Sequence, residues 1–333
     1  MSDSGYPIQV LDPAAPHHVH IIFPTRRRYW LHLLLFLATI FSTLIVGARL
    51  EYNYINDAPQ FTTDDDLLPV MWTLRHPSRL LLGIPFSAAL LCILLAHEMG
   101  HFVYARRHRV YATLPFFLPA PTVIGTFGAF IRIRSPIPDR IALMDIGIAG
   151  PIAGFVVAIP ILVGSLILSP AMGHGSGSPL GLPLIFQWTW RALHPFSHTP
   201  LSQANLHPSA IAAWVGMLAT ALNLLPAGQL DGGHIVYSIF PRLHRLATLL
   251  TAAVLFPMGF FLWGGWLLWG VVLLLPWMQH PPVPQFPAVD RKRRLLGVAA
   301  LLMFVVSFPL VPFAGHSPWE QLRPWVVAHI HRR

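Results

Sequence analysis

Long apolar runs recur along this chain, and each is close to or above the about 20 residues that a helix needs to cross a hydrocarbon core. Charged residues make up only 11% of the 333 residues, against about a quarter in soluble domains. The runs predict spans at about 29–49, 79–105, 141–169, 209–226, 246–262, 264–278 and 295–313. We therefore predict an all-α membrane protein, built as a polytopic helical bundle of about six to eight spans.

One apolar stretch, 111–133, does not fit a spanning helix. It is interrupted by five helix breakers, namely Pro115, Pro119, Pro121, Gly125 and Gly128. Its end, TFGAFIRIR, partly alternates apolar and other residues, as a strand does. We predict a re-entrant loop or β-hairpin that packs against protein at membrane depth.

The arginines cluster at the ends of the apolar runs, which is typical of charges that orient a membrane protein. Arg26 to Arg28 precede the first run and so place the N-terminus in the cytoplasm, while the acidic loop at 51–78 is expected outside. Only Arg332 and Arg333 in the tail depart from this pattern. The formal net charge is +9 with a single lysine, and we expect no nucleic acid partner. We expect a multi-pass protein of a cell membrane, in particular a prokaryotic inner membrane.

The segment HEMGH, inside the second predicted span, has the spacing of a metal site. On a helix, His97 and His101 lie one turn apart on one face, so both imidazoles can bind one metal ion. Glu98 follows the first histidine and can act as a general base on a water molecule at the metal. HExxH strings also arise by chance, but three ionisable residues in an apolar span are costly unless a metal satisfies them. The single cysteine, Cys92, excludes a CxxC metal site.

A catalytic zinc ion needs a third protein ligand, which we seek in the segment NLLPAGQLDGGH at 223–234. A proline and a glycine interrupt the fourth predicted span there, at about the depth of the HEMGH motif. Asp231 could complete a His-His-carboxylate set, and His234 is the alternative ligand. Asn223 could hydrogen-bond a substrate or stabilise a developing oxyanion, or it could form an interhelical polar contact.

Two features of the third predicted span have structural interpretations. Gly150 and Gly154 form a GxxxG pattern, which is typical of close packing between helices. Asp145 lies near the start of the helix, where the helix dipole favours a carboxylate. Neither feature is needed for the chemistry of the HEMGH motif.

HEMGH on one span and NLLPAGQLDGG on a later one resemble the motifs of the site-2 protease family of intramembrane zinc metallopeptidases. Between them, IGIAGPIAGFVVAIP at 146–160 resembles the central span of that family. The resemblance extends from about Leu80 to Phe240. Unlike many members, this chain has no room for a PDZ module, because no soluble domain of about fifty residues fits between the spans. The segment 170–208 is predicted as an external loop and 280–290 as a linker.

The resemblance implies a zinc metalloendopeptidase with one Zn²⁺ per chain, bound by His97, His101 and Asp231, and with Glu98 as the catalytic base. It implies that Asn223 helps to position the substrate. A loop that borders the substrate groove would comprise Gly125, Thr126, Phe127, Gly128 and Ala129. The substrates implied are single-span membrane proteins, which such an enzyme hydrolyses within their transmembrane segments in regulated intramembrane proteolysis.

These expectations divide the chain into four parts. They are a cytoplasmic N-terminal tail (1–28), the first span with its external acidic loop (29–78), an intramembrane metalloprotease core (79–240), and C-terminal spans and tail (241–333). Two other classes of protein are possible on the same residues. In a polytopic metal transporter, Asp145 would be the only carboxylate available to extend a transit path. A proteolytically inactive membrane chaperone would be expected to lack an intact HEMGH.

Overall fold

Helices make up most of this protein. The structure, a computed structural model, describes residues 8–11, 19–22, 29–170, 179–196, 199–314 and 317–323. The arginines of both termini, Arg26 to Arg28, Arg332 and Arg333, lie outside these residues. The α-helices are α1 (Tyr29–Ile55), α2 (Asp64–Leu67), α3 (Val70–Arg75), α4 (Ile84–Arg107), α5 (Arg140–Leu168), α6 (Leu184–Leu193), α7 (Pro208–Asn223), α8 (Asp231–Ile239), α9 (His244–Phe261), α10 (Gly265–Leu274) and α11 (Arg291–Ser307). The strands are β1 (Ile8–Leu11), β2 (Val19–Ile22), β3 (Phe116–Pro119) and β4 (Thr126–Phe130).

Four of the described helical segments are long and apolar enough to cross a membrane: Tyr29–Ile55, Pro77–Arg107, Arg140–Leu168 and His244–Phe261. In the second of them, a 3₁₀ helix leads directly into α4. The remaining predicted spans form shorter helices, because α7, α10 and α11 have 16, 10 and 17 residues. The predicted helical architecture is therefore present, while the predicted count of six to eight spans is not confirmed.

Prolines explain two of the short helices. Pro226 follows the end of α7 and Pro276 follows the end of α10. Proline has no backbone N–H to donate and disfavours a helical residue before it, so a helix usually ends ahead of it. The two predicted spans at 209–226 and 264–278 are cut short for this reason.

Helix α4 lies at the centre of the fold and packs against α1, α5 and α7. Leu90 and Ile93 of α4 share one apolar core with Leu162 of α5 and Trp214 of α7, and all four are almost fully buried. A side chain at Gly100 would overlap the backbone of α5, so the two helices approach each other closely. The HEMGH segment is thus enclosed by neighbouring helices.

Other helices leave apolar faces exposed. On α1, the side chains of Leu33, Leu37 and Phe41 are more than half exposed, and on α9 so are Leu250 and Val254. Contiguous apolar surface of this kind is uncommon on soluble monomers and suits contact with lipid.

The breaker-rich stretch forms a β-hairpin, one of the two predicted alternatives. β3 and β4 pair antiparallel, with Phe116 opposite Phe130 and a register irregularity between Phe117 and Pro119. The turn lies against α1, where the Ser42 hydroxyl donates to the Gly125 carbonyl over 2.6 Å. The hairpin is therefore fixed to the first long helix.

Two segments that were predicted as connections contain more structure. The predicted external loop at 170–208 contains α6, whose ten residues are too few to give a clear periodic signal. The predicted linker at 280–290 has no regular secondary structure but packs tightly, since Val283 and Val289 are buried. The Val283 amide donates to the Tyr237 hydroxyl of α8 over 3.2 Å.

Candidate metal centre

Helix α4 presents His97 and His101 one turn apart, and both side chains are buried. Nε2 of His97 lies 3.2 Å from Oδ2 of Asp231, and Nε2 of His101 lies 3.3 Å from the same oxygen. All three potential ligand atoms lie within 4.8 Å of one another. Two residues of one helix thus meet a carboxylate that is about 130 residues further along the chain.

Asp231 is brought to this point by a break between two helices. α7 ends at Asn223 and α8 begins at Asp231, so the two residues lie on different helices. The intervening loop is tight: Gly228 has a φ of +56°, and a side chain at Gly232 would overlap the carbonyls of Leu224 and Leu225. The loop places Asp231 in the first turn of α8, where the dipole favours a negative charge.

The loop between α7 and α8 is also held from the C-terminal side. The Gln229 side-chain amide donates to the carbonyls of Trp277 and Gln279 over 2.7 and 2.8 Å. Nε2 of His244, on α9, lies 3.0 Å from the Gly228 carbonyl. The position of Asp231 therefore depends on contacts with both α9 and the segment after α10.

The three side chains fit a zinc ion. Oδ2 of Asp231 is buried and has no hydrogen-bond partner among the described residues, although two imidazole nitrogens approach it. Ligand atoms about 2.0–2.2 Å from a tetrahedral zinc ion lie roughly 3.3–3.6 Å apart. The observed separations of 3.2 and 3.3 Å lie at the short end of that spacing, to within about 0.1 Å. An unsatisfied buried carboxylate oxygen facing two imidazoles is what a shared cation would resolve.

Glu98 lies beside this cluster and is itself buried. Its carboxylate does not belong to the set of three potential ligand atoms that lie within 4.8 Å of one another. Helix α4 packs against β4, and the backbone amide of Ile131, just after β4, faces this carboxylate. The hairpin therefore lies next to the residue that follows the first histidine.

The side chains of Asn223 and His234 differ in their relation to the cluster. Nδ2 of Asn223 lies 3.4 Å from Nε2 of His97, at the edge of hydrogen-bonding distance. Nδ1 of His234 lies 2.9 Å from Nε2 of His280. His234 is not among the grouped ligand atoms, and it is bonded to a residue of the segment that follows α10.

Two contacts to α5 escaped sequence reasoning. Nδ1 of His101 lies 2.7 Å from the carbonyl oxygen of Ile146. Donation from this nitrogen fixes the tautomer that leaves Nε2 free to bind a metal. The second contact concerns the GxxxG pattern: a side chain at Gly150 would overlap the His101 imidazole, and a Cβ at Gly154 would lie 3.2 Å from Nδ1 of His97. The contact with the Ile146 carbonyl could not be predicted, because a backbone carbonyl has no sequence signature. The room for the two imidazoles could have been predicted from the pair Gly150 and Gly154.

The five residues expected to border a substrate groove coincide largely with β4. Thr126 is buried and donates to the Leu118 carbonyl, whereas the Phe127 side chain is 72% exposed. A Cβ at Gly128 would have no neighbour within 4 Å. Among the described strands, β4 pairs with β3 alone, so one strand edge has no strand beside it.

Fold and site together define a helical protein with a candidate metal centre, in which an HExxH motif and an aspartate are enclosed by apolar helices. The sequence model of the family described as "Peptidase family M50" matches residues 85–264, a range that includes His97, His101 and Asp231. The chain belongs to peptidase family M50, the site-2 protease family, which confirms the predicted resemblance.

Curated relatives agree with this family. The protein named "Probable zinc metalloprotease EGY1, chloroplastic" of Arabidopsis thaliana is 30% identical over 320 residues, covering 89% of this chain and 54% of the relative. The protein of the same name in Oryza sativa subsp. japonica is also 30% identical, covering 89% and 51%. "Probable zinc metalloprotease EGY2, chloroplastic" of Arabidopsis thaliana is 30% identical over 239 residues, covering 70% and 42%. The chain spans about half the length of the curated relatives that it matches.

Proposed function

We propose that this protein is an intramembrane zinc metalloendopeptidase that hydrolyses peptide bonds in transmembrane segments of other membrane proteins. The main support is the convergence of His97, His101 and Asp231 on one point, with Glu98 beside it, between helices long enough to span a bilayer. Family membership and the names of the relatives support the same chemistry.

The metal would be held by His97, His101 and Asp231, as one zinc ion per chain. When bound, zinc supplies Lewis-acid chemistry: it polarises the scissile carbonyl and lowers the pKa of water. Three protein ligands leave a fourth position open, as catalytic zinc sites require. His101 is oriented for this role by the Ile146 carbonyl.

Glu98 would act as the general base. Its carboxylate accepts a proton from the attacking water as the water oxygen bonds to the carbonyl carbon, and it later gives this proton to the leaving amine nitrogen as the C–N bond breaks. Burial keeps bulk water away from the carboxylate, and the Ile131 amide faces it. Asn223 would donate its side-chain amide to the substrate carbonyl oxygen, where negative charge develops.

The hairpin would receive the substrate. A transmembrane helix hides its amide bonds, so the substrate must unwind before it reaches Glu98. An extended segment can then pair with an exposed strand edge, and β4 leads directly to the Ile131 amide that contacts Glu98. In this arrangement Gly125 to Ala129 border the bound segment, as the family resemblance implies. The proposed substrates are single-span membrane proteins.

The surroundings of the enzyme remain part of the proposal. Four apolar helices support association with a lipid bilayer. The cytoplasmic N-terminus and the prokaryotic inner membrane stay predictions, and the relatives are named as chloroplastic proteins. The four-part division of the chain also stays a proposal, with the core at 79–240 overlapping the family match at 85–264.

The alternative of a metal transporter has less support. A transit path needs further ionisable groups between the metal centre and either surface. Asp145, the carboxylate available for this purpose, is already paired with Arg293 and His108.

The test compares membrane protein fragments in cells that express the wild type, Glu98→Gln or Glu320→Gln. Glu320 is also a glutamate, but it is exposed and distant in sequence from Glu98, so Glu320→Gln is a matched control. We expect fragments cut within transmembrane segments in the wild type and the control but not with Glu98→Gln, whose zinc content should be unchanged. Equal fragments from Glu98→Gln would overturn the proposed function.

A further inference from the structure

Three helix ends meet at one buried carboxylate on the N-terminal part of α5. Asp145 is 7% exposed, and it accepts two hydrogen bonds from the guanidinium of Arg293, each 2.7 Å long. Nε2 of His108, directly after α4, lies 2.9 Å from Oδ2 of Asp145. Arg293 is the third residue of α11 and also pairs with Asp290. The cluster therefore ties α4, α5 and α11 together.

This cluster is one residue away from the atom that orients a metal ligand. The residue after Asp145 is Ile146, whose carbonyl oxygen lies 2.7 Å from Nδ1 of His101. The same helix leaves space for the His101 ring at Gly150, where any Cβ would overlap the ring. A small displacement of α5 along α4 would therefore lengthen the hydrogen bond to His101 and bring α5 backbone atoms against its ring.

We infer that Arg293 is a positioning residue for the metal centre: through Asp145 it holds α5 where the Ile146 carbonyl orients His101. The inference rests on the proposed function, because it assigns His101 as a metal ligand. It also extends the working site beyond residues 85–264, since α11 lies outside the matched part of the family.

The geometry favours arginine over lysine at this position. The two bonds from Nε and Nη2 to the two oxygens of Asp145 are a bidentate pair, which fixes direction as well as distance. A lysine ammonium is a point charge that would keep the attraction but not the planar pairing. The role of positioning can therefore be separated from the role of charge.

The experiment measures zinc affinity of the purified full-length protein by competition with a chelator, together with the unfolding temperature of the metal-free protein. We expect Arg293→Gln to weaken zinc binding by up to about 10-fold, the low end of the loss caused by removing a direct orienting partner of a metal ligand, because Arg293 acts on His101 through Asp145 and α5. Arg293→Lys should fall between this variant and the wild type. Arg294→Gln removes the same charge from an exposed neighbouring position and should change the affinity by less than about twofold.

A spectroscopic readout separates positioning from simple stabilisation. With Co²⁺ in place of zinc, the d–d absorption bands report the arrangement of the ligands, and we expect them to shift in Arg293→Lys but not in Arg294→Gln. If Arg293→Gln does not fold, Arg293→Lys alone decides the matter. A lower unfolding temperature of the metal-free protein with unchanged zinc affinity and unchanged Co²⁺ bands would overturn the inference. Absence of zinc binding in the wild type would instead overturn the proposed function.

Discussion

Nε2 of His101 lies where a side chain on Gly150 would begin, so the helix that packs against the HEMGH motif can carry only glycine at this position. Gly154, one turn further along α5, gives similar room to His97. The GxxxG pattern thus allows close helix packing, as predicted, and also provides the space in which the two imidazoles converge with Asp231.

Replacing Gly150 by alanine should displace His101 and weaken zinc binding by more than about tenfold, since well-packed sites do not absorb an added methyl group without shifts. Metal content of the purified protein measures this. Gly164→Ala is the matched control, because a Cβ at Gly164 of the same helix has no neighbour within 4 Å. The control should bind zinc normally and gain roughly 0.5–1 kcal/mol of stability from the better helix former. Normal zinc content in Gly150→Ala would contradict the described crowding.

Asp231→Ala should remove one of three metal ligands and lower zinc occupancy to near zero after dialysis against a weak chelator. His234→Ala should leave occupancy close to that of the wild type, because His234 is bonded to His280 rather than to the cluster. Elemental analysis of both proteins decides between the two residues. Zinc loss in His234→Ala with retention in Asp231→Ala would reverse the assignment of the third ligand.

Asn223→Ala should retain zinc and lower kcat by about 10²- to 10³-fold, the usual effect of removing one donor to a developing oxyanion. The amide lies next to His97 and is well placed for this. Turnover of a cleaved membrane protein, with zinc content measured in parallel, provides the check. If Asn223 serves only as an interhelical contact, the variant will instead unfold at a lower temperature and cleave at the normal rate once folded.

The predicted external loop should loosen in acid because of Asp66. Burial alone would raise the pKa of Asp66, but hydrogen bonds from Arg49, Asn53 and Thr63 outweigh it and lower the pKa to about 2 from an ordinary value of 3.8. A carboxyl whose pKa is lower in the folded state stabilises that state above about pH 4, and the stabilisation is lost as the pH falls toward about 2. Pepsin should therefore cut the loop slowly at about pH 4 and faster near about pH 2. Asp66→Asn should be cut rapidly at both pH values. A ratio of wild-type to variant cutting rates that is the same at both pH values would count against this explanation.

Reporter fusions should show the orientation that the arginines predict. A fusion after Arg109 or Arg245 should read cytoplasmic, and one placed in 57–66 should read external. Activity of a reporter that works on only one side of the membrane measures each. The reverse reading at all three positions would place the metal centre nearer the opposite face.

Features with local spacing could be predicted from the sequence. His97 and His101 lie one turn apart on a helix, so their spacing alone indicates a shared face, and Glu98 directly follows the first of them. Asp231 could be proposed because a proline and a glycine open the backbone before it. The hairpin at 111–133 followed from its breakers and alternation.

Features that depend on distant contacts could not be predicted. Arg293 and Asp145 are paired although 148 positions separate them in the chain, and nothing in either local sequence indicates the other. The Ile146 carbonyl is a backbone atom that every residue possesses. The predicted span at 209–226 extends past the end of α7 at Asn223, because the residues that follow Asn223 are still apolar although the helix has ended.

The break between α7 and α8 has a consequence for how the protein is made. His97 and His101 emerge from the ribosome about 130 residues before Asp231, and only two ligands exist until α8 has been synthesised and folded against α4. The complete metal centre therefore forms late in biogenesis, after the helices that surround it have been inserted. Under the proposed function, a chain with this order of ligands gains its activity only after α8 is in place, so it does not cut its own transmembrane segments while it is being assembled.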